Sequence, residues 1–139
     1  MAPDWKLPVL GKDESLSSKG LRGKYILMEF TATWCGHCWE AVEAMNRFED
    51  IFKNCSDIAI VSVFSSEIDK KEHIVKFAKQ HNARSTMLYA AKEVGDMYQV
   101  SSYPNFLIIS PEGKILKNYK GYDQSTARKI IENLNELIK

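Results

Sequence analysis

Three cysteines in 139 residues are too few, and odd in number, for the disulfide-dense scaffold of a small secreted protein. An excess of charge is missing too. Nineteen basic residues against 18 acidic ones leave a net charge of +1, which argues against a nucleic-acid or membrane-surface partner. No continuous apolar run is long enough to cross a bilayer, so no membrane insertion is expected of this chain. No basic segment followed by an apolar core opens it, so no signal peptide is read there. Internal repeats, low-complexity tracts and linkers are also lacking. With 45% hydrophobic and 27% charged residues, the composition is that of a globular protein. We expect one domain over residues 1–139, with an irregular, partly docked arm at 1–24 and the core at 25–139.

What the chain does have is "EFTATWCGHCWEAVEAM", residues 29–45, in which Cys35 and Cys38 stand as a CxxC pair. Four chemistries use such a pair: a metal clip, a structural crosslink, a haem tether and a redox centre. Haem attachment needs a histidine directly after the second cysteine, and position 39 is Trp39. A closed zinc site needs four ligands, and there is no second CxxC. Cys55, His73 and His81 are the only further candidates, and they come from separate elements, so no metal is expected. A disulfide across so short a loop removes little unfolded-state entropy, which makes a purely structural role poor.

Placement favours the redox reading. "YILMEFTA", Tyr25 to Ala32, is short, apolar and β-prone, as suits a buried central strand. After Cys38 the apolar residues Val42, Met45, Phe48, Ile51 and Phe52 recur at helical spacing. The pair therefore closes a strand and opens a helix, where unpaired N–H groups and the positive end of the helix dipole meet the first sulfur. Both favour the thiolate, which is the attacking species. Cys38, one turn in, sits deeper, as suits a resolving thiol. His37 lies between them, placed to donate to the Cys35 sulfur and tune its redox poise.

Further along, Asp57 to Phe64 reads as a second buried strand and Asp69 to His81 as a helix with Ile74, Val75 and Phe77 inward. A short strand at Thr86 to Tyr89 and a short helix ending near Val100 follow. "PNFLIIS" and "KILKNYKGY" flank the turn at Pro111-Glu-Gly as a hairpin, and Asp123 caps an amphipathic closing helix. Alternating strands and helices call for parallel strands, with the final hairpin adding an antiparallel edge. The charged face "EIDKKEH", His73 and His81 read as solvated surface, and Cys55 as a bystander at a helix end.

"WCGHC", the Glu29-Phe30 step and "SYP" at Ser102-Tyr103-Pro104 resemble the active domains of protein disulfide isomerase in the thioredoxin superfamily. The opening "APDWKLPVLGKDESLSSKGLRGKY" and "PNFLIISPEGKI" resemble its redoxin branch, with the cytochrome-maturation oxidoreductases and, more distantly, the peroxiredoxins. The resemblance implies an α/β thioredoxin fold: a central mixed sheet flanked by helices, an N-terminal extension and a helix-strand insertion before a cis-proline. It implies that Cys35 is the nucleophile, Cys38 the resolving cysteine and Glu29 a buried acid shuttling a proton to Cys38. It also implies that Trp34, Gly36, Tyr103 and Pro104 form the surface that meets substrate. The activity implied is thiol–disulfide exchange on protein substrates, by a monomer with no cofactor beyond the redox-active Cys35–Cys38 pair. A second dithiol protein would serve as electron donor or acceptor. The cell envelope is the implied location, with a leader absent from this chain; the cytoplasm is the alternative. A non-catalytic thioredoxin-fold binding module and a thiol peroxidase stand as the other readings. Three departures mark this chain: Glu43 where a helix-kinking proline often stands, Ala41 beside Glu40 where the branch keeps a glutamate, and no lysine in 57–66 to partner Glu29.

Overall fold

Residues 1–139 are described by a computed structural model, in which the arm is bound to the core more closely than its irregular composition implies. Lys6–Pro8 (β1) and Ser15–Ser17 (β2) pair antiparallel as a hairpin, with Leu7 opposite Leu16. Gly11 in its turn takes a φ of 82°, which glycine adopts without a Cβ penalty. Trp5, Leu7, Val9 and, after a 3-10 turn at Lys19–Leu21, Leu21 are all buried. They cover a sheet face that none of the long helices reaches.

Tyr25–Thr31 forms β3, Gly36–Phe52 α1, Ile58–Phe64 β4 and Lys71–His81 α2. Thr86–Leu88 forms β5, Lys92–Met97 α3, Asn105–Ile109 β6, Ile115–Lys120 β7 and Gln124–Leu137 α4. The strand order is β5-β4-β3-β6-β7: β3, β4 and β5 are parallel, and β6 and β7 are antiparallel. The helix-strand insertion stands as α2, β5 and α3, between β4 and Pro104. Asp123 caps α4 as expected, accepting the N–H groups of Ser125 at 2.8 Å and Thr126 at 3.2 Å.

Alternation along β3 divides the core in two. Ile26, Met28 and Phe30 pack with Trp5, Leu7 and Val9 of the arm and Val94 of α3. Leu27 packs on the other face with Ala41, Met45 and Phe48 of α1 and Ile130 and Leu134 of α4. Each fully buried phenylalanine, such as Phe30, Phe48 or Phe106, stabilises the fold by roughly 1.5–3 kcal/mol relative to exposure. Glu29 shares Leu27's side of the strand and is the charged residue placed inside that face.

Two apolar residues are not where the helical spacing put them. Ile51 is 47% exposed and Val75 39% exposed. The buried stripe of α1 runs through Ala41, Met45, Phe48 and Phe52, and Ile51 lies about 100° around the axis from Phe52. Val75 stands in the same relation to Ile74, which is buried with Phe77. Helix α2 also begins two residues later than Asp69, because that carboxylate is engaged elsewhere.

Candidate active site

The strand-to-helix step puts Cys35 at the N-cap of α1 in extended conformation (φ −98°, ψ 120°). Its sulfur accepts the Cys38 N–H at 3.2 Å, so an orphan donor of the first helical turn points at it. On its other side the Cys35 thiol donates to the Tyr103 carbonyl at 3.5 Å. Cys35 is partly exposed, Cys38 is wholly buried, and both are free thiols. Burial pushes the Cys38 thiol far up, and its hydrogen bond to Cys35 and the nearby Glu29 charge raise it further. Thr31 and the Ala32 backbone oppose this through hydrogen bonds. Cys38 therefore keeps its proton near neutrality and needs a base to become a nucleophile.

The charged group that acts on Cys38 from within the sheet is Glu29. Glu29 of β3 lies opposite Ser62 of β4 and Phe106 of β6. It is 3% exposed, and burial pushes its carboxyl up to about 8, offset in part by a hydrogen bond with Ser62. The Ser62 hydroxyl is within 2.7 Å of the Ser85 hydroxyl, a second buried serine. Oε2 of Glu29 has no hydrogen-bond partner, and the residue lines a cavity of about 10 Å³ together with Thr31, Ser62 and Ser85. Where a lysine would partner the acid, this chain has hydroxyls, which leave the carboxyl's proton affinity high.

Around the sulfur the loop is pinned by side chains from distant segments. The Thr33 N–H donates to the Asp69 carboxylate at 2.8 Å, and the Thr33 hydroxyl donates to the same group. Trp39 Nε1 donates to the Thr33 carbonyl at 2.7 Å. Trp34 Nε1 donates to Ser66 Oγ at 2.9 Å, while the ring, 53% exposed, meets the Tyr103 ring edge-on at 5.7 Å and 82°. The Tyr103 hydroxyl is 3.0 Å from Ser65 Oγ. The Tyr103-Pro104 peptide is cis, and Pro104 is buried just before β6. Nothing lies within 4 Å of a Cβ added at Gly36, so the approach to Cys35 over that residue is open.

Cys35, Cys38, Trp34, Tyr103 and Pro104 thus converge, with Glu29 biasing Cys38 from the sheet. His37 does not join them by contact. It is turned to Glu40, Nδ1 to Oε2 at 3.5 Å, and solvated, while the sulfur's partners are the Cys38 N–H and the Tyr103 carbonyl. Cys55 packs against the α1–α4 core at the far end of α1, roughly 25 Å of helix from the dithiol. No group of three or more His, Cys, Asp or Glu side chains could hold a metal. Asp69, Ser62, Ser65 and Ser66 are the site residues that sequence reasoning did not single out; each acts through a partner more than 30 positions away, or across strands.

The AhpC/TSA family model matches residues 1–118 of the chain. The Bacillus subtilis "Thioredoxin-like protein YneN" is 31% identical over 115 residues, covering 82% of this chain and 66% of YneN. The B. subtilis "Thiol-disulfide oxidoreductase ResA" is 30% identical over 131 residues, covering 93% of this chain and 68% of ResA. The chain therefore spans about two thirds of the length of these curated relatives. Among solved structures, a Chlorobium tepidum protein described as a thiol:disulfide interchange protein DsbE superposes with a TM-score of 0.88 at 24% identity. That superposition covers 99% of this chain and 95% of that one. The likeness establishes the thioredoxin fold.

Proposed function

This chain belongs to the AhpC/TSA family and is a thiol–disulfide oxidoreductase of thioredoxin fold, and from that premise we propose that it exchanges disulfides with protein substrates through Cys35 and Cys38. The observation that carries the reading is the Cys35 sulfur held by the Cys38 N–H in the first turn of α1, with a buried, protonated Cys38 one turn away. The Cys35 thiolate attacks one sulfur of a substrate disulfide; a mixed disulfide forms and the other substrate sulfur leaves as a thiolate. Cys38 gives its proton to the Glu29 carboxylate, and the resulting thiolate attacks the Cys35 sulfur. The Cys35–Cys38 disulfide closes, the second substrate sulfur leaves, and the substrate has gained two electrons. The reverse sequence oxidises a dithiol. A carboxyl with a pKa of about 8 has both protonation states within reach near neutrality, as a proton carrier in either direction requires.

Trp34 and the Tyr103–Pro104 edge form the surface against which substrate backbone lies, with the open side at Gly36 as the approach. His37 tunes Cys35 from the helix entrance, turned toward Glu40 rather than hydrogen-bonded to the sulfur. Residues 25–139 with the arm at 1–24 act as one unit, as a monomer that needs no metal or organic cofactor and draws on a partner dithiol for electrons. An extracytoplasmic site of action is the location that the likeness to the cytochrome-maturation branch supports.

Insulin reduction driven by dithiothreitol tests the assignment. Cys35→Ser abolishes turnover, and Cys38→Ser accumulates a mixed disulfide on Cys35 visible by mass spectrometry. Equal rates for wild type and Cys35→Ser would end the reading.

A further inference from the structure

We propose that the cleft between α1 and α2 is a second contact site for substrate, one that takes the carboxylate of an acidic residue close to the scissile disulfide. This rests on the reading that the substrates are proteins. The cleft, about 290 Å³, adjoins the dithiol: it is lined by Thr33, two residues before Cys35, and by Trp39, directly after Cys38. It shares no lining residue with the Tyr103–Pro104 edge.

Its chemistry is one-sided. His73, Lys76, Gln80, His81 and Thr33 contribute hydrogen-bonding side chains, and no acidic side chain lines it. Lys76 thus places a positive charge in the cleft with no acidic side chain lining it. Lys76, His73 and His81 take part in none of the ion pairs of the fold, so no internal acid satisfies them. His73 Nδ1 accepts the Lys70 N–H at 3.1 Å. The hydrogen of the neutral ring is therefore on Nε2, making that atom a donor as well. The remaining wall is aromatic. His81 stacks on Trp39 at 5.6 Å and 21° and meets Phe77 at 4.7 Å. The Trp39 ring is fixed in turn by its hydrogen bond to Thr33. Donors with no carboxylate among them, beside a flat aromatic wall, suit a carboxylate carried on a short methylene stem.

Exposed ion pairs contribute up to about 1 kcal/mol, a factor of about five in an equilibrium or specificity ratio. The test uses two cystine peptides identical except for Glu or Lys within three residues of the cysteine, with hydroxyethyl disulfide as an uncharged small substrate. Wild type should prefer the Glu peptide about fivefold in kcat/KM at low salt. That preference should fall close to one in Lys76→Gln and in about 0.5 M salt. It should persist in Lys129→Gln, which removes an equal charge from the exposed face of α4. Turnover of hydroxyethyl disulfide should be the same in wild type and Lys76→Gln, which separates docking from chemistry. A preference that survives Lys76→Gln, or none in wild type, overturns the proposal. Failure of wild type to turn over hydroxyethyl disulfide would overturn the exchange reading itself, and this site with it.

Discussion

Replacing Glu29 by glutamine should remove a pH dependence of stability that the buried carboxyl imposes. In the folded protein this carboxyl titrates at about 8, against 4.5 for the free group. Below pH 4.5 both folded and unfolded chains carry the proton and the group is neutral in the balance. Between 4.5 and 8 the unfolded chain releases its proton while the folded one keeps it, so stability is lost as pH rises through this window. The slope approaches 1.4 kcal/mol per pH unit, and from pH 5.5 to pH 8 the loss reaches about 3 kcal/mol. That is a large fraction of the 5–15 kcal/mol that typically holds a domain folded. Glutamine keeps the shape and the contact with Ser62 but has no proton to lose. Urea unfolding of both proteins under reducing conditions, followed by tryptophan fluorescence, gives the comparison. Glu29→Gln should gain about 3 kcal/mol on wild type between pH 5.5 and pH 8. It should also slow the closing of the Cys35–Cys38 disulfide, because Cys38 loses its base. A difference between the two proteins that stays flat across this range would refute the buried, proton-retaining carboxyl and the role built on it.

Asp69→Ala leaves the half-buried Thr33 N–H without its 2.8 Å acceptor, which should cost about 1–3 kcal/mol and speed hydrogen exchange at the Thr33 amide; unchanged exchange would show that the loop is held by other contacts. Gly95→Ala sets a Cβ 2.7 Å from the Ser65 Cβ and 2.9 Å from its hydroxyl. The overpacking should destabilise by about 1–3 kcal/mol and disturb the Tyr103 hydroxyl that Ser65 meets, lowering the melting temperature and kcat/KM for insulin together. A melting curve identical to wild type would contradict it.

Much of this arrangement was legible along the chain because it is local. The run from Tyr25 to Thr31 announces a buried strand, the CxxC marks a helix start, and the Asp123 cap and Pro111-Glu-Gly turn each depend on neighbours within a few positions. Helical spacing locates a stripe but not its margin, which is why Ile51 and Val75 fell on the wrong side of it. The clamp of Asp69 on Thr33, the seating of Trp34 on Ser66 and the Ser62–Ser85 pair span from 23 to 36 positions. The first two exist because parallel β3 and β4 bring the loops after them to one end of the sheet, and the third because β4 runs beside the start of β5, none of which local pattern encodes. His73 and His81 read as solvated surface for the same reason. Only the packing of α2 beside α1 sets them with Trp39 into a cleft.

The arm at the beginning of the chain is tied to several segments that come later. The Ala2 N–H donates to Gly113 in the last hairpin, the Leu10 N–H to Met87 in the outermost parallel strand, and the Tyr98 hydroxyl to the Pro3 carbonyl. A version trimmed to start at residue 25 would expose Ile26, Met28 and Phe30 to water along a bare wall of the sheet. Such a fragment would clump rather than work as a smaller enzyme. Any tether joining this chain to another module at that end therefore has to attach before Ala2, because the segment that looks like spare sequence is the lid of the core.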